Sequence, residues 1–259
     1  MFRQNKVEIV NVYDGKMPPH RVIGNVYFVG TYQASSHVID TGDGLIMIDT
    51  GYAKTFYLVL DSLYKLGYKP TDVKYIVNTH WHLDHAEASG LMQDLSGAKN
   101  LIGKDDAHKV IEKGYFTPDI LISDGDTLTL GNTTLRFLET PGHTKGTISY
   151  FLDVEHNGRV YKCGSFGGAG VNTMAAGKLD YPEGREGYRA SLERLRGETV
   201  DVMLGNHTWN NNGYQNAKEV VAGNEDAYII PGLWHAFLDS CEKRLDGVIE
   251  KERLENAKQ

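Results

Sequence analysis

The sequence predicts an α+β fold in which two β-sheets pack face to face with helices on their outer faces. Two observations carry this. Short β-rich segments give way to an amphipathic helix, and the same order repeats in the second half of the chain. No low-complexity linker and no short-period repeat separates the halves, so residues 1–259 read as a single domain with a C-terminal helical tail from about residue 230.

Residues 7–12 and 22–29 are rich in β-branched and aromatic side chains, as strands require. Residues 36–39 and 45–48 flank the turn Thr41-Gly42-Asp43-Gly44, and Asp49-Thr50-Gly51 closes that hairpin. Tyr57, Leu58, Leu60, Leu63 and Tyr64 recur at helical spacing across 54–65, with Gly67 as the stop. A short apolar strand follows at 73–77, then helices at 88–95 and 105–113. In the second half, strands at 127–130, 134–138, 147–152 and 159–163 precede a glycine-rich loop at 164–170. A helix at 185–196, a strand at 200–204 and an asparagine-rich loop at 207–214 come next. From Leu233 the tail reads as a long amphipathic helix with a charged end.

At 41% apolar and 24% charged, the chain has the composition of a protein that buries a sizeable core. Its net charge of -7 and lack of a Lys/Arg run give no nucleic-acid footprint. Its two cysteines, Cys163 and Cys241, do not make a disulfide scaffold, and Cys163 reads as a buried free thiol at the end of an apolar run. No apolar stretch of ~18 residues predicts a membrane span. No h-region of ~7–15 residues follows the basic residues near Met1. The expectation is a cytosolic chain acting on a small molecule, with no membrane or nucleic-acid partner. The oligomeric state is not legible.

The segment Asn78-Thr79-His80-Trp81-His82-Leu83-Asp84-His85 is the strongest chemical signal. Four metal-capable side chains within six positions, directly after an apolar strand, are hard to explain as packing. Imidazole and carboxylate suit zinc and related divalent ions. His80 and His82 alternate, so an extended strand end would aim both at one ion. Asp84 and His85 fall where the chain must turn into a helix, and would serve a neighbouring ion. A catalytic zinc keeps three protein ligands and one open position. His143, in Thr140-Pro141-Gly142-His143-Thr144, and His207, in Gly205-Asn206-His207-Thr208, are candidates for the third ligand of each set, both following a strand. His20, His37, His108, His156 and His235 have no such partners and read as packing or surface residues.

These residues resemble the metallo-β-lactamase superfamily. His80–His85 matches its H-x-H-x-D-H signature, Asp49-Thr50-Gly51 its early turn, and Pro141-Gly142-His143-Thr144 its G-H-T turn. The resemblance runs from about residue 22 to 207 and implies an αββα sandwich of two mixed sheets, with two Zn2+ per chain at one edge. One departure narrows the choice. Thioesterases of the glyoxalase-II type, lactonases and the nucleases of this fold carry a bridging aspartate after the strand that follows the G-H-T turn. Here that stretch is Tyr161-Lys162-Cys163-Gly164-Ser165-Phe166, with Ser165 in its place. This is similar to the metallo-β-lactamases with three His at the first zinc and Asp-His-His at the second.

The resemblance implies a zinc-dependent hydrolase that opens a cyclic amide of the β-lactam type. A zinc-bound hydroxide would attack the carbonyl, because zinc lowers the pKa of its water to about 7. His80, His82 and His143 would hold the first zinc, and Asp84, His85 and His207 the second. Asp84 would also orient the nucleophile and relay a proton. Ser165 would be a catalytic donor near the second zinc and its water, not a ligand. The alternative is a lactone, ester or thioester hydrolase acting on a cytosolic metabolite. A flavodiiron oxidoreductase of this fold would carry glutamate in place of His82. A nuclease would need a basic face and the bridging acid, and a non-catalytic relative would have lost ligands. The loop 164–170 lacks the Lys-Ser/Thr of a phosphate-binding loop. It reads as a flexible wall whose amides face a substrate carboxylate.

Overall fold

The strand Leu45–Ile48 (β4) shows how the layers arise. All four of its side chains are apolar and buried, and alternate ones point to opposite faces. Ile46 and Ile48 enter a core shared with a second sheet, whereas Leu45 and Met47 pack beneath helices. A strand covered on both faces has no polar side to present.

The computed structural model describes residues 15–175 and 177–257. The predicted strand at 7–12 lies outside them. The first sheet has seven strands in chain order. They are His20–Ile23 (β1), Val26–Phe28 (β2), His37–Asp40 (β3), β4, Val73–Asn78 (β5), Lys99–Gly103 (β6) and Ile120–Ile122 (β7). Pairing is antiparallel as far as β4 and parallel from β4 to β7. The second sheet contains Thr127–Leu130 (β8), Thr133–Glu139 (β9), Ile148–His156 (β10), Arg159–Ser165 (β11) and Val202–Met203 (β12). Its order is β12-β11-β10-β9-β8, antiparallel except for the parallel β11/β12 pair. Both sheets are therefore mixed.

The helices are Phe56–Lys65 (α1), Leu83–Ala86 (α2), Ser89–Ser96 (α3), Ala107–Glu112 (α4), Gly184–Arg196 (α5), Gly213–Val221 (α6) and Leu233–Asn256 (α7). Phe56, Val59 and Leu63 of α1, with Met92 of α3, cover Val38, Met47 and Ile76 on the first sheet. Tyr188, Leu192 and Leu195 of α5 join Trp234, Phe237, Leu238, Cys241 and Leu245 of α7 over Leu138, Phe151 and Met203 on the second. Between the sheets, Ile46, Val77 and Leu101 meet Leu135, Phe137, Tyr150 and Leu152. Helix, sheet, sheet, helix is the sandwich that the sequence predicts. Cys163 and Cys241 are both free and buried. Among the described residues no helix is long and apolar enough to cross a membrane.

Three local readings need correction. Residues 22–29 are not one strand: Gly24, at φ 48, turns the chain between β1 and β2. Strands β6 and β7 escaped notice because a short strand in a parallel array carries no alternation to mark it. Helix α6 lies hidden behind an asparagine run, and its preceding residue Asn212 adopts φ 57.

The apolar stripe of α7, at Trp234, Phe237, Leu238, Cys241 and Leu245, follows the helical repeat. Leu238→Ala should lower unfolding stability by about 2–5 kcal/mol, since the side chain is fully buried. Arg189→Ala should cost no more than about 1 kcal/mol, because its ion pair with Asp246 is exposed. Urea midpoints of the two variants check this order.

Candidate metal centre

Strand β5 ends at Asn78, and the chain bends through residues 79–82 before the single turn of α2. His80 and His82 therefore stand on a bend rather than on an extended strand end. Asp84 and His85 lie on α2, where the sequence predicts a turn into a helix. His143 occupies the turn between β9 and β10, and His207 follows β12. Ile148, the first residue of β10, donates its amide to the Thr79 carbonyl, tying the two sheets together beside the histidines.

One atom each from His80, His82 and His143 lies within 4.8 Å of the others, and the same holds for Asp84, His85 and His207. The two groups adjoin, with the rings of His80 and His85 4.2 Å apart. The structure thus brings all six predicted residues together, in the two sets of three expected.

Each ring is oriented by what its other nitrogen meets. His143 Nδ1 is 2.8 Å from the Gly170 carbonyl and His207 Nδ1 is 2.5 Å from the Gln33 carbonyl. A carbonyl only accepts, so both Nδ1 atoms carry the proton and both Nε2 atoms keep a lone pair. His85 Nδ1 is 2.8 Å from Asp49 Oδ2, which fixes its ring in the same sense. His82 is the exception. Its Nδ1 faces His143 Nε2 at 2.9 Å, so this ring turns its other nitrogen inward. In the second group, Asp84 Oδ2 is 3.4 Å from His85 Nε2 and 3.8 Å from His207 Nε2.

Sequence reasoning found the six residues but not the groups that orient them. Asp49 read only as part of a turn. Its Oδ1 accepts the Thr79 amide, and its Oδ2 accepts both the Thr79 hydroxyl and the His85 ring. An acid ending an apolar strand was the available signal. The carbonyls of Gly170 and Gln33 have no signal in side-chain chemistry.

The electrostatics suit a cation. Burial, with help from neighbouring imidazoles, pushes His80 well below its ordinary value and His143 down to about 3. Burial likewise takes His82 and His207 down to about 4. All four are neutral and keep lone pairs. Burial would lower His85 too, but the Asp84 and Asp49 carboxylates prevail and lift it to about 10. For Asp84, burial opposes ionisation, yet the imidazoles of His85 and His207 hold it below the carboxylate range. The decisive fit lies in an orphan: His80 Nε2 is buried without a hydrogen-bond partner, and His85 Nε2 has only the 3.4 Å approach of Asp84 Oδ2. Such atoms are costly unless something binds them. These imidazole and carboxylate donors could hold two divalent cations of the zinc type.

The glycine-rich segment 164–170 is not a flexible wall. Residues 164–169 are buried, and the glycines are required by close approach. A Cβ on Gly168 would lie 2.8 Å from His143 Cβ, and one on Gly170 3.1 Å from His143 Cε1. The segment packs against the His143 ring and fixes it. Ser165, 1% exposed, ends β11 opposite Tyr150. His20, His37 and His156 are buried in packing, and His108 and His235 are exposed. Trp209 is half exposed and stacks flat on His207 at 4.4 Å.

Residues 29–232 match the metallo-beta-lactamase superfamily. A hydroxyacylglutathione hydrolase of Maricaulis maris is 32% identical over 121 residues, which is 46% of this chain and 42% of that protein. A mitochondrial persulfide dioxygenase of Homo sapiens is 30% identical over 111 residues, 42% of this chain and 38% of that one. The chain spans about half the length, or less, of these curated relatives. Solved structures align further. A subclass B3 metallo-beta-lactamase of Bradyrhizobium japonicum is 29% identical with a TM-score of 0.87, covering 93% of this chain and 97% of that one. The native metallo-beta-lactamase of Legionella gormanii is 27% identical with a TM-score of 0.83, covering 91% and 97%. A match over most of its length, the sandwich fold and the histidine motif lead to one conclusion: the chain belongs to the metallo-beta-lactamase superfamily.

Proposed function

We propose that this protein is a zinc-dependent hydrolase that opens a cyclic amide of the β-lactam type. The observation that carries the reading is the pair of three-donor groups with the orphaned His80 nitrogen among them. Support for the substrate class comes from the likeness to lactamase structures over more than nine tenths of the chain. His80, His82 and His143 would hold one Zn2+, and Asp84, His85 and His207 the other. When bound, zinc supplies Lewis acidity and brings the pKa of a water toward about 7.

The chain's own residues account for the remaining roles. Asp84 holds one carboxylate oxygen toward His85 and His207. Its other oxygen takes the proton of the attacking water and passes it to the leaving nitrogen. The Gly170 and Gln33 carbonyls accept the Nδ1 protons of His143 and His207, which leaves each Nε2 lone pair facing inward for a cation. Ser165 would serve as a hydrogen-bond donor near the second site and its water rather than as a ligand.

A second reading has its own support. The likeness to a hydroxyacylglutathione hydrolase favours a thioester, ester or lactone of a small metabolite. One panel on zinc-loaded protein separates the two: a chromogenic cephalosporin, a carbapenem, an acyl-homoserine lactone, a glutathione thioester and a phosphodiester. Chelator-sensitive turnover of the β-lactams is the expected result. Turnover of the thioester or phosphodiester with β-lactams untouched would overturn the substrate assignment and leave the metal assignment standing.

Metal analysis after zinc loading should give about two ions per chain, one for each group of three. One ion or none, or tightly held iron, would contradict it. Ser165→Ala should lower kcat/KM while metal content stays unchanged. Loss of an ion from that variant would make Ser165 a ligand, and unchanged kinetics would leave it a packing residue.

A further inference from the structure

Two separate loops must meet for His80, His82 and His143 to converge: residues 79–82 and residues 140–147. Between them stands Asp106, just ahead of α4 and 1% exposed. Its Oδ2 accepts the Trp81 amide at 3.0 Å and the Thr144 hydroxyl at 2.7 Å. Its Oδ1 accepts the Gly146 amide at 2.7 Å. Trp81 separates His80 from His82, and Thr144 follows His143 directly. One buried carboxylate therefore bonds each loop at a residue next to a member of the triplet.

The fit is close on both sides. A Cβ on Gly146 would lie 2.3 Å from the Asp106 amide and 2.7 Å from its Cβ and Cγ. A Cβ on Gly103, at the end of β6, would lie 2.0 Å from the Gly146 carbonyl. The loop thus reaches the carboxylate only because two positions lack side chains. Burying a carboxylate without an adjacent cation is expensive, and three convergent donors offset only part of that cost: burial still pushes the Asp106 carboxyl up to about 7.

We propose that Asp106 is the positioning residue of the first triplet, holding the two loops at the separation at which His80, His82 and His143 share one cation. The inference rests on the metal reading above. The second triplet does not depend on Asp106, because Asp49 and the Gln33 carbonyl orient its histidines. Asp180 is the natural comparison. It spans the same loops, taking Trp81 Nε1 at 3.3 Å and the Lys145 amide at 3.1 Å, but it is only partly buried. Water can replace it at little cost.

The test is zinc affinity, measured by competition with a chromophoric chelator, for wild type, Asp106→Ala, Asp106→Asn and Asp180→Ala. Cobalt(II) spectra identify the site affected, with His143→Ala and His207→Ala as references for the loss of each. Asp106→Ala should weaken the first site about 10–100-fold and leave the second at its wild-type affinity, as removal of an orienting partner does. Asp106→Asn should fall between, since its amide oxygen still serves part of the donor set, and Asp180→Ala should match wild type. Unchanged affinity in Asp106→Ala, or equal loss at both sites, would overturn the proposal. If Asp106→Ala does not fold, the same two readouts on Asp106→Asn decide the matter. Wild-type protein that takes up no ion at His80, His82 and His143 would overturn the metal reading and this inference together. Wild-type uptake with an unaltered Asp106→Ala would overturn the inference alone.

Discussion

Three donors converge on the Asp49 carboxylate, and the shape of the metal centre depends on them. Asp49 directly follows β4 at φ 53, a left-handed conformation that costs a non-glycine residue about 1–2 kcal/mol. Its amide still pairs with the Val77 carbonyl, so the strain does not detach it from the sheet. The bend directs the side chain across to the end of β5, where it receives the Thr79 amide, the Thr79 hydroxyl and the His85 ring. This acid anchors the start of the bend at Thr79 and orients His85 on α2. Thr50 and Gly51 secure the far side by donating their amides to the His85 carbonyl.

The wider fold serves the same constraint. Buried imidazoles must have both nitrogens accounted for, and a two-sheet sandwich supplies partners from several chain segments at one edge. The first sheet provides Asp49, and the Gln33 carbonyl comes from the loop between β2 and β3. The second sheet provides the glycine-rich segment after β11, whose Gly170 carbonyl fixes His143. Asn206 then donates its side-chain amide to the Gly167 carbonyl, and its backbone carbonyl accepts the Ser35 amide. His207 is thereby held between the two sheets. A ring fixed before any ion arrives loses little freedom on binding, which is what preorganisation means for a metal site.

Much of this was legible because chemistry and packing make different demands on sequence. His80, His82, Asp84 and His85 could not be a core face, so they identified themselves, and His143 and His207 stood out at comparable strand ends. The layers followed from the order of strand-like and helix-like segments. What escaped notice has a physical cause in each case. Strands β6 and β7 are too short for a periodicity to form, and α6 begins directly after a run of asparagines. The glycine-rich segment looked mobile because glycine marks both freedom and close approach, and only the position of His143 tells which applies. The orienting carbonyls of Gly170 and Gln33 belong to the main chain, where side-chain identity says nothing. Asp106 lay within a segment read as helix, and its partners at Trp81, Thr144 and Gly146 are distant in sequence.

The central claim is that fixed hydrogen bonds decide which nitrogen of His85, His143 and His207 is free to bind a cation. Long-range 1H–15N correlation spectra of the zinc-loaded protein, labelled at histidine, test it directly. The account predicts that His143, His85 and His207 keep a proton on Nδ1 and bind zinc through Nε2, while His82 alone binds through Nδ1. Metal-bound Nδ1 in His143 or His207, or a proton on Nδ1 of His82, would contradict it.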